Sequence, residues 1–345
     1  MKAWLKNSFA NILEYSGLNA FKRWLRQNSV VVLTYHGVIP RELIKNGEHL
    51  FEYRNVVTQE DFEQQIRFVR SRYIPLSVKD LFEVIGSKRK RVSRPYILIT
   101  FDDGFENNYK YAFPVLKKYG VVGHFFLTTD FMGSQKMLWT EEVNYRIMHT
   151  HRKKLHLVID GHAHEFTLRT VPEKEHASIR LRKILKLQRR SVIEEVLEEL
   201  RQQTDDVATD ELAPDRYRFM SWDQIREMSQ SGMIFGSHTT HHFLLNNLTA
   251  REVEETLAES KRIIEQETHE ACEYFSYPNG EKENFSERDT RILMQLGYKC
   301  AFTQIPGFNE PDFIPLRRYA LYRINISYFM SLPIFKAIIA GTWIH

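Results

Sequence analysis

Two short stretches of this chain concentrate side chains able to do acid–base and metal chemistry. The first is Thr100-Phe101-Asp102-Asp103-Gly104, where the apolar run Tyr96-Ile97-Leu98-Ile99 leads into two adjacent carboxylates and a glycine. Neighbouring acids repel, so both stay ionised only beside a cation or strong hydrogen-bond donors. Consecutive strand residues point to opposite faces, so one carboxylate can ligate a metal while the other takes a proton. Taken alone, the motif reads as a common Asp-Asp-Gly turn. The second stretch, Ile234-Phe235-Gly236-Ser237-His238-Thr239-Thr240-His241-His242, puts three histidines just past a strand pattern. His238 and His242 are four apart, the separation that brings two side chains to one side of a helical turn. Two neutral imidazoles and a carboxylate suit Zn²⁺ or a similar divalent ion, with a coordination position left for water. Three histidines in five residues after a strand end are hard to read as core, although a lone one would be. His241 adjoins His242, points elsewhere and is left out of the set.

The elements that must position these groups follow from periodicity. β-branched and aromatic runs predict strands over Val30–His36, Tyr96–Phe101, Val121–Thr128, Met233–Ser237, Glu273–Tyr277 and Tyr298–Thr303. Helical patterns fall over Gln59–Arg70, Val78–Val84, Asn108–Tyr119, Trp222–Ser231, Ala250–Gln266 and Glu287–Leu296. Such alternation predicts an α/β fold on a parallel sheet, open or closed into a barrel. His36, Asp102, Asp103, His238 and Pro278 then all follow strands at their C-terminal ends, where parallel folds place their sites. Residues 150–216 break the rhythm. A hairpin around Asp160-Gly161 and a charged helical stretch over Arg180–Gln203 read as an inserted, lid-like helical subdomain that contributes little to a core. Its lysines and arginines are read as solvated charges, with substrate binding as the alternative. The chain divides into an amphipathic segment 1–28, a barrel over 29–326 and an apolar segment 327–345.

Composition narrows the function classes. A net charge of +4 on 345 residues, without a basic stripe interleaved with aromatics, argues against nucleic acid. The two cysteines, Cys272 and Cys300, suggest neither a disulfide framework nor a thiolate metal site. No apolar run is long enough to span a bilayer. The first residues do not read as a signal peptide, because Asn7, Asn11 and Glu14 interrupt the apolar segment. The expected location is therefore cytoplasmic. Leu5, Phe9, Ile12, Leu13, Phe21, Trp24 and Leu25 recur at helical spacing among Lys2, Lys6, Lys22, Arg23 and Arg26. A basic amphipathic helix of this kind either packs on its own domain or lies peripherally on the inner membrane.

Thr100–Gly104 and His238–His242 together resemble the first two motifs of the polysaccharide deacetylase family (carbohydrate esterase 4, NodB homology), the second of which is H-[ST]-x-x-H. Met220-Ser221-Trp222-Asp223-Gln224 and Gly236-Ser237 also resemble it, and the resemblance runs from about Val31 to Ile326 with 150–216 inserted. It implies a distorted (β/α) barrel with fewer than eight regular strands. It implies a divalent ion on Asp103, His238 and His242, with Asp102 as the general base that deprotonates water. Phe275-Ser276-Tyr277-Pro278-Asn279-Gly280 is similar to the third motif, with the Tyr277 backbone N–H as an oxyanion donor. Here the chain departs from the family, which commonly carries an arginine where Ser276 stands; Arg323 is the candidate substitute from another strand. A late Leu-x-x-His motif is also missing. Leu33-Thr34-Tyr35-His36-Gly37-Val38 instead resembles the circularly permuted branch that includes exopolysaccharide N-deacetylases, and there an early histidine, here His36, supplies the acid. A strand-end structural histidine is the alternative. The resemblance implies removal of an N-acetyl group from an amino sugar in a polysaccharide or lipid-linked precursor. An O-acetyl carbohydrate esterase and an inactive carbohydrate-binding homologue are the rival readings.

Overall fold

Runs such as Val30–Tyr35 and Tyr96–Phe101 are apolar or β-branched at nearly every position, the pattern of strands covered on both faces. The computed structural model describes residues 3–44, 50–86, 92–208, 214–328 and 330–343, and there these runs are neighbouring strands of a parallel sheet. In chain order the described strands are β1 (Val30–Tyr35), β2 (Gly37–Ile39), β3 (Val56–Thr58), β4 (Ile74–Pro75), β5 (Tyr96–Phe101), β6 (Gly123–Leu127), β7 (Lys154–Ile159), β8 (His162–Thr167), β9 (Ile234–Ser237), β10 (Tyr274–Ser276), β11 (Cys300–Phe302) and β12 (Ile324–Asn325). The main sheet runs β11-β10-β9-β6-β5-β1-β12, with β4 beside the first half of β5, and every pairing in it is parallel. Two of its strands, β4 and β12, are only two residues long.

This sheet curls until its edges come together. Ala301 N–H donates to Arg318 O and Leu321 N–H to Ala301 O, each at 2.9 Å, and the same stretch of chain then enters β12 beside β1. The arrangement is the distorted (β/α) barrel expected from the sequence. Alternation along the strands divides the core in two. Val31, Leu33, Tyr35, Ile97, Ile99, Phe101 and Phe125 pack with Phe62 and Ile66 of the helix Gln59–Arg72 and Val253 and Leu257 of the helix Ala250–Thr268. Val30, Val32, Leu98, Phe126, Ile234, Tyr274 and Phe302 form a second cluster on the opposite, inner face, closed by Val78 and Leu81. His124 of β6 pins that closing helix. Its Nε2 accepts from Val78 N–H and its Nδ1 donates to Ile99 O, both at 2.9 Å, and burial lowers its pKa to about 4. It is a structural histidine, fully occupied by backbone.

The insertion departs from expectation. Its charged stretch is two helices, Val171–Leu185 and Arg190–Gln203, behind the antiparallel hairpin β7–β8. Leu181, Leu185, Ile193, Val196, Leu197 and Leu200 are buried and continuous with the main core, so the segment contributes to the core after all. Their helical spacing makes a narrow apolar stripe that the surrounding charges mask in the sequence. The end segments pack together: Arg26 Nη1 donates to Ala340 O at 3.2 Å, and Phe9 meets Trp343 with ring centroids 5.7 Å apart. The helices Ala3–Tyr15 and Leu18–Leu25 bury Ala10 and Leu13 but leave Trp4, Ile12 and Tyr15 at 63%, 60% and 87% exposure, with Phe9, Phe21 and Trp24 also exposed. No described helix is long and apolar enough to cross a membrane.

Candidate active site

Register decides which side chains meet. Tyr35 is paired with Phe101 at the ends of β1 and β5, so His36 and Asp102 leave the sheet side by side, and Asp102 N–H donates to Tyr35 O at 3.0 Å. Across β6, Leu127 is paired with Ser237, and His238 N–H donates to Leu127 O at 2.9 Å. All of these groups stand on the rim formed by the C-terminal strand ends.

Beyond the strand ends the backbone turns sharply. Asp103 has φ 75°, and Gly104 follows at φ 90°, where an added Cβ would lie 2.8 Å from Met132 Cε. The two acids are therefore divided by a left-handed turn rather than by the alternation of an extended strand. Residues His238–His242 do not form a helical turn either: Thr239 and His242 have φ 70° and 61°. A β-branched residue in that region is strained. It is held by Thr239 Oγ1, which accepts from His242 N–H at 3.0 Å, and by Thr239 O, which accepts from Thr129 N–H at 3.2 Å.

These turns bring one ligating atom each from Asp103, His238 and His242 within 4.8 Å of one another, all buried. The Nε2 atoms of His238 and His242 stand 3.5 and 3.4 Å from Asp103 Oδ1, longer than ordinary hydrogen bonds. Among the described residues Asp103 Oδ1 has no hydrogen-bond partner, and neither has His242 Nδ1. His238 Nδ1 donates to Ser276 O at 2.7 Å, which leaves its Nε2 lone pair facing the carboxylate. Burial pushes His238 down to about 4, so its imidazole is neutral at neutral pH. Burial alone would raise Asp103, but His242, with His36 and His238, holds it well below the usual carboxylate range. A buried, ionised oxygen with two imidazole nitrogens facing it and, among the described residues, no donor within hydrogen-bond distance fits a divalent cation.

Asp102 is the opposite case, a carboxylate with donors on both oxygens. Arg323 Nη1 and Nη2 donate to its Oδ1 and Oδ2 at 2.8 and 2.7 Å. Arg323 also donates to Ser276 Oγ at 2.8 Å, to Thr303 O at 2.7 Å and to Thr100 Oγ1 at 3.2 Å, and is fully buried. Ser276 Oγ and Gln304 Nε2 each donate to Asp102 Oδ2 at 3.2 Å. Burial would raise Asp102, but Arg323, helped by His238 and His36, keeps it ionised. The sequence located Arg323 only as a candidate; Ser276 and Gln304 it did not assign. His36 lines the same cleft, and among the described residues its Nδ1 has no partner.

One assignment is corrected. Tyr277 N–H donates to Phe302 O at 3.1 Å, continuing the β10–β11 ladder, and its ring is buried with the hydroxyl on Tyr319 O, so this N–H cannot serve an oxyanion. Two residues on, Asn279 lines the cleft at φ 59°, and among the described residues its N–H has no acceptor. The cleft measures about 330 Å³ and is also lined by Arg54, Glu141, Arg182 and Lys186, the last two from the insertion.

The polysaccharide deacetylase family model matches residues 89–301. The chain is 25% identical over 284 residues to YxkH of Bacillus subtilis, named as a polysaccharide deacetylase, across 82% of this chain and 70% of that protein. It is 30% identical over 116 residues to the poly-beta-1,6-N-acetyl-D-glucosamine N-deacetylase of Staphylococcus aureus, across 32% of this chain and only 39% of that protein. Among solved structures, Streptococcus pyogenes deacetylase PplD in complex with acetate superposes with a TM-score of 0.59 at 17% identity, covering 90% of this chain and 98% of that one. IcaB from Ammonifex degensii superposes at 0.56 and 19% identity, covering 91% and 97%. At these identities the two structures speak to the fold alone.

Proposed function

This chain belongs to the polysaccharide deacetylase family, and from that premise we propose that it is a metal-dependent hydrolase removing N-acetyl groups from an amino sugar of a polysaccharide or its lipid-linked precursor. The observation that carries the reading is the contrast between adjacent acids: Asp102 is clamped and ionised, whereas Asp103 Oδ1 faces two histidines without a donor. When bound by Asp103, His238 and His242, a divalent ion, Zn²⁺ by donor type, would supply Lewis acidity to the acyl carbonyl and to water. Asp102 takes the proton of the attacking water, and Arg323 fixes the direction in which that carboxylate can accept it. The Asn279 N–H, in place of Tyr277, donates to the developing oxyanion. His36 donates a proton to the departing nitrogen.

The purified full chain should release acetate from N-acetylglucosamine oligomers, lose that activity to a chelator and regain it with Zn²⁺. A His238→Ala, His242→Ala double variant that folds yet retains stoichiometric metal by elemental analysis would overturn the ligand set.

The same reading extends to place: we propose action from the cytoplasmic face of the inner membrane, with residues 1–28 resting on anionic lipid. The exposed apolar face of the first two helices, with Lys6, Lys22, Arg23 and Arg26 against the single acid Glu14, supports it. Replacing Trp4, Ile12 and Phe21 together by Ser should release the protein from anionic vesicles at low salt without changing its circular dichroism. Equal sedimentation of both forms with vesicles, or of neither, refutes the contact.

A further inference from the structure

The cleft holds more positive charge than the chemistry above requires. Arg54, Arg182 and Lys186 line the same cavity as Asp102, Asp103 and His36. Arg182 and Lys186 are four residues apart at the end of the helix Val171–Leu185, where like charges share one side and repel. The Arg54 and Arg182 guanidinium carbons lie 4.7 and 5.8 Å from the Phe51 ring centroid, so one aromatic ring serves both.

None of the three cations has a carboxylate within ion-pairing distance among the described residues. Glu141, which faces Arg54 and Arg182, is held by Arg216 at 2.9 Å. Glu281 faces Lys186 but caps its own turn through Asn284 N–H. Asp102 belongs to Arg323, and a bound divalent cation would more than neutralise Asp103. Among the described residues Lys186 Nζ donates only to a neutral group, Asn279 Oδ1, and Arg182 Nε donates to Ser178 O at 3.2 Å while the rest of its guanidinium fork has no acceptor. Burial, then the neighbouring arginines, lowers the pKa of Lys186, and burial and Arg54 lower Arg182 to about 10, which leaves the guanidinium charged at neutral pH. Three half-buried, unpaired cations on one wall are a standing cost to the fold unless something anionic occupies the cleft.

We propose that Arg54, Arg182 and Lys186 form a subsite for an oxyanion carried by the acetylated saccharide itself, so that the preferred substrate is an anionic sugar chain, bearing a phosphate or a carboxylate near the acetamido group. A guanidinium fork beside an ammonium suits either oxyanion, since both offer coplanar acceptor pairs or clustered oxygens to bidentate donors. The inference rests on the deacetylase reading for the reaction but not for the charge of the ligand.

The test compares kcat/KM for acetate release by the Zn²⁺-loaded full chain on three probes: a neutral N-acetylglucosamine oligomer, the same oligomer ending in a sugar 1-phosphate, and one containing a uronate. At low salt one or both anionic probes should exceed the neutral one by roughly 10- to 100-fold, the usual worth of a hydrogen bond to a charged group, and the advantage should shrink as salt rises. The better of the two names the source of the anion. In Arg182→Gln, and separately in Lys186→Met, the anionic-to-neutral ratio should fall toward one, whatever happens to the absolute rate. A wild-type ratio near one, or a ratio unchanged in both folded variants, overturns the proposal. If no probe is deacetylated, the failure lies with the reaction. Calorimetric binding of N-acetylglucosamine 1-phosphate against N-acetylglucosamine then decides the subsite: preferential phosphate binding lost in Arg182→Gln supports it, and equal binding sinks it.

Discussion

Asp102→Asn should depress hydrolysis of an N-acetylated amino sugar and of an aryl acetate alike, each by about 10²–10⁴-fold, the usual worth of a positioned acid or base. Water must lose a proton whichever acyl group it attacks, and Asp102 is the carboxylate ordered to take it, with Arg323, Ser276 and Gln304 occupying its other directions. His36→Ala should divide the two substrates. An amine leaves poorly unless protonated, whereas an acidic phenol leaves unaided, so the amide should lose roughly 10²–10⁴-fold and the aryl ester far less. Both variants should keep their metal, because neither side chain belongs to the Asp103, His238, His242 group. Equal losses on amide and ester in His36→Ala would make the early histidine structural. A wild-type preference for sugar esters with little dependence on His36 would favour the O-acetyl esterase reading instead.

Arg323→Met should be the most destabilising single change at the site, by about 3–5 kcal/mol, the range for breaking one side of a buried ion pair. The guanidinium is fully buried and makes five hydrogen bonds, two of them to Asp102. Without it a buried carboxylate keeps, among the described residues, only Ser276 and Gln304 as side-chain donors. Urea unfolding should show the loss as a lower midpoint, and Arg323→Lys should recover part of it, since an ammonium keeps the charge but not the paired geometry. The double variant Arg323→Met, Asp102→Asn should be less destabilised than the sum of the single changes, because each removes the other's reason to be costly. Strict additivity would mean that the pair seen at 2.7 and 2.8 Å is not coupled in solution.

Much of the scaffold was legible because its signals are local. The main strands of three or more residues fall inside the predicted runs, and capping pairs such as Ser221 with Gln224 and Thr249 with Glu252 mark their helix starts plainly. What stayed hidden depends on partners distant in the chain. Whether the Tyr277 N–H is free is decided by the pairing of β10 with β11, which no property of Ser276-Tyr277-Pro278 reveals. The role of Arg182 and Lys186 depends on where the insertion folds back, and nothing in their local sequence sets them apart from Arg180, Lys183, Arg189 and Arg190 around them. The left-handed backbone at Thr239 runs against that residue's preference, so a helical turn was the natural reading of the His238–His242 spacing.

The seam between the sheet edges also sets an order of events for the folding chain. Asp102 and its guanidinium partner are 221 residues apart, so the counter-charge is among the last parts of the barrel to be synthesised. Until the stretch leading into β12 settles between β11 and β1, Asp102 can stay hydrated but cannot be buried without penalty. The most distant contact of the site is thus formed together with the closure of the barrel, a step slowed by the entropy of so long a loop. A nascent chain that has made its first ten strands would hold both aspartates and both histidines and still lack an ordered base. Recovery of hydrolysis during refolding should therefore lag behind recovery of secondary structure.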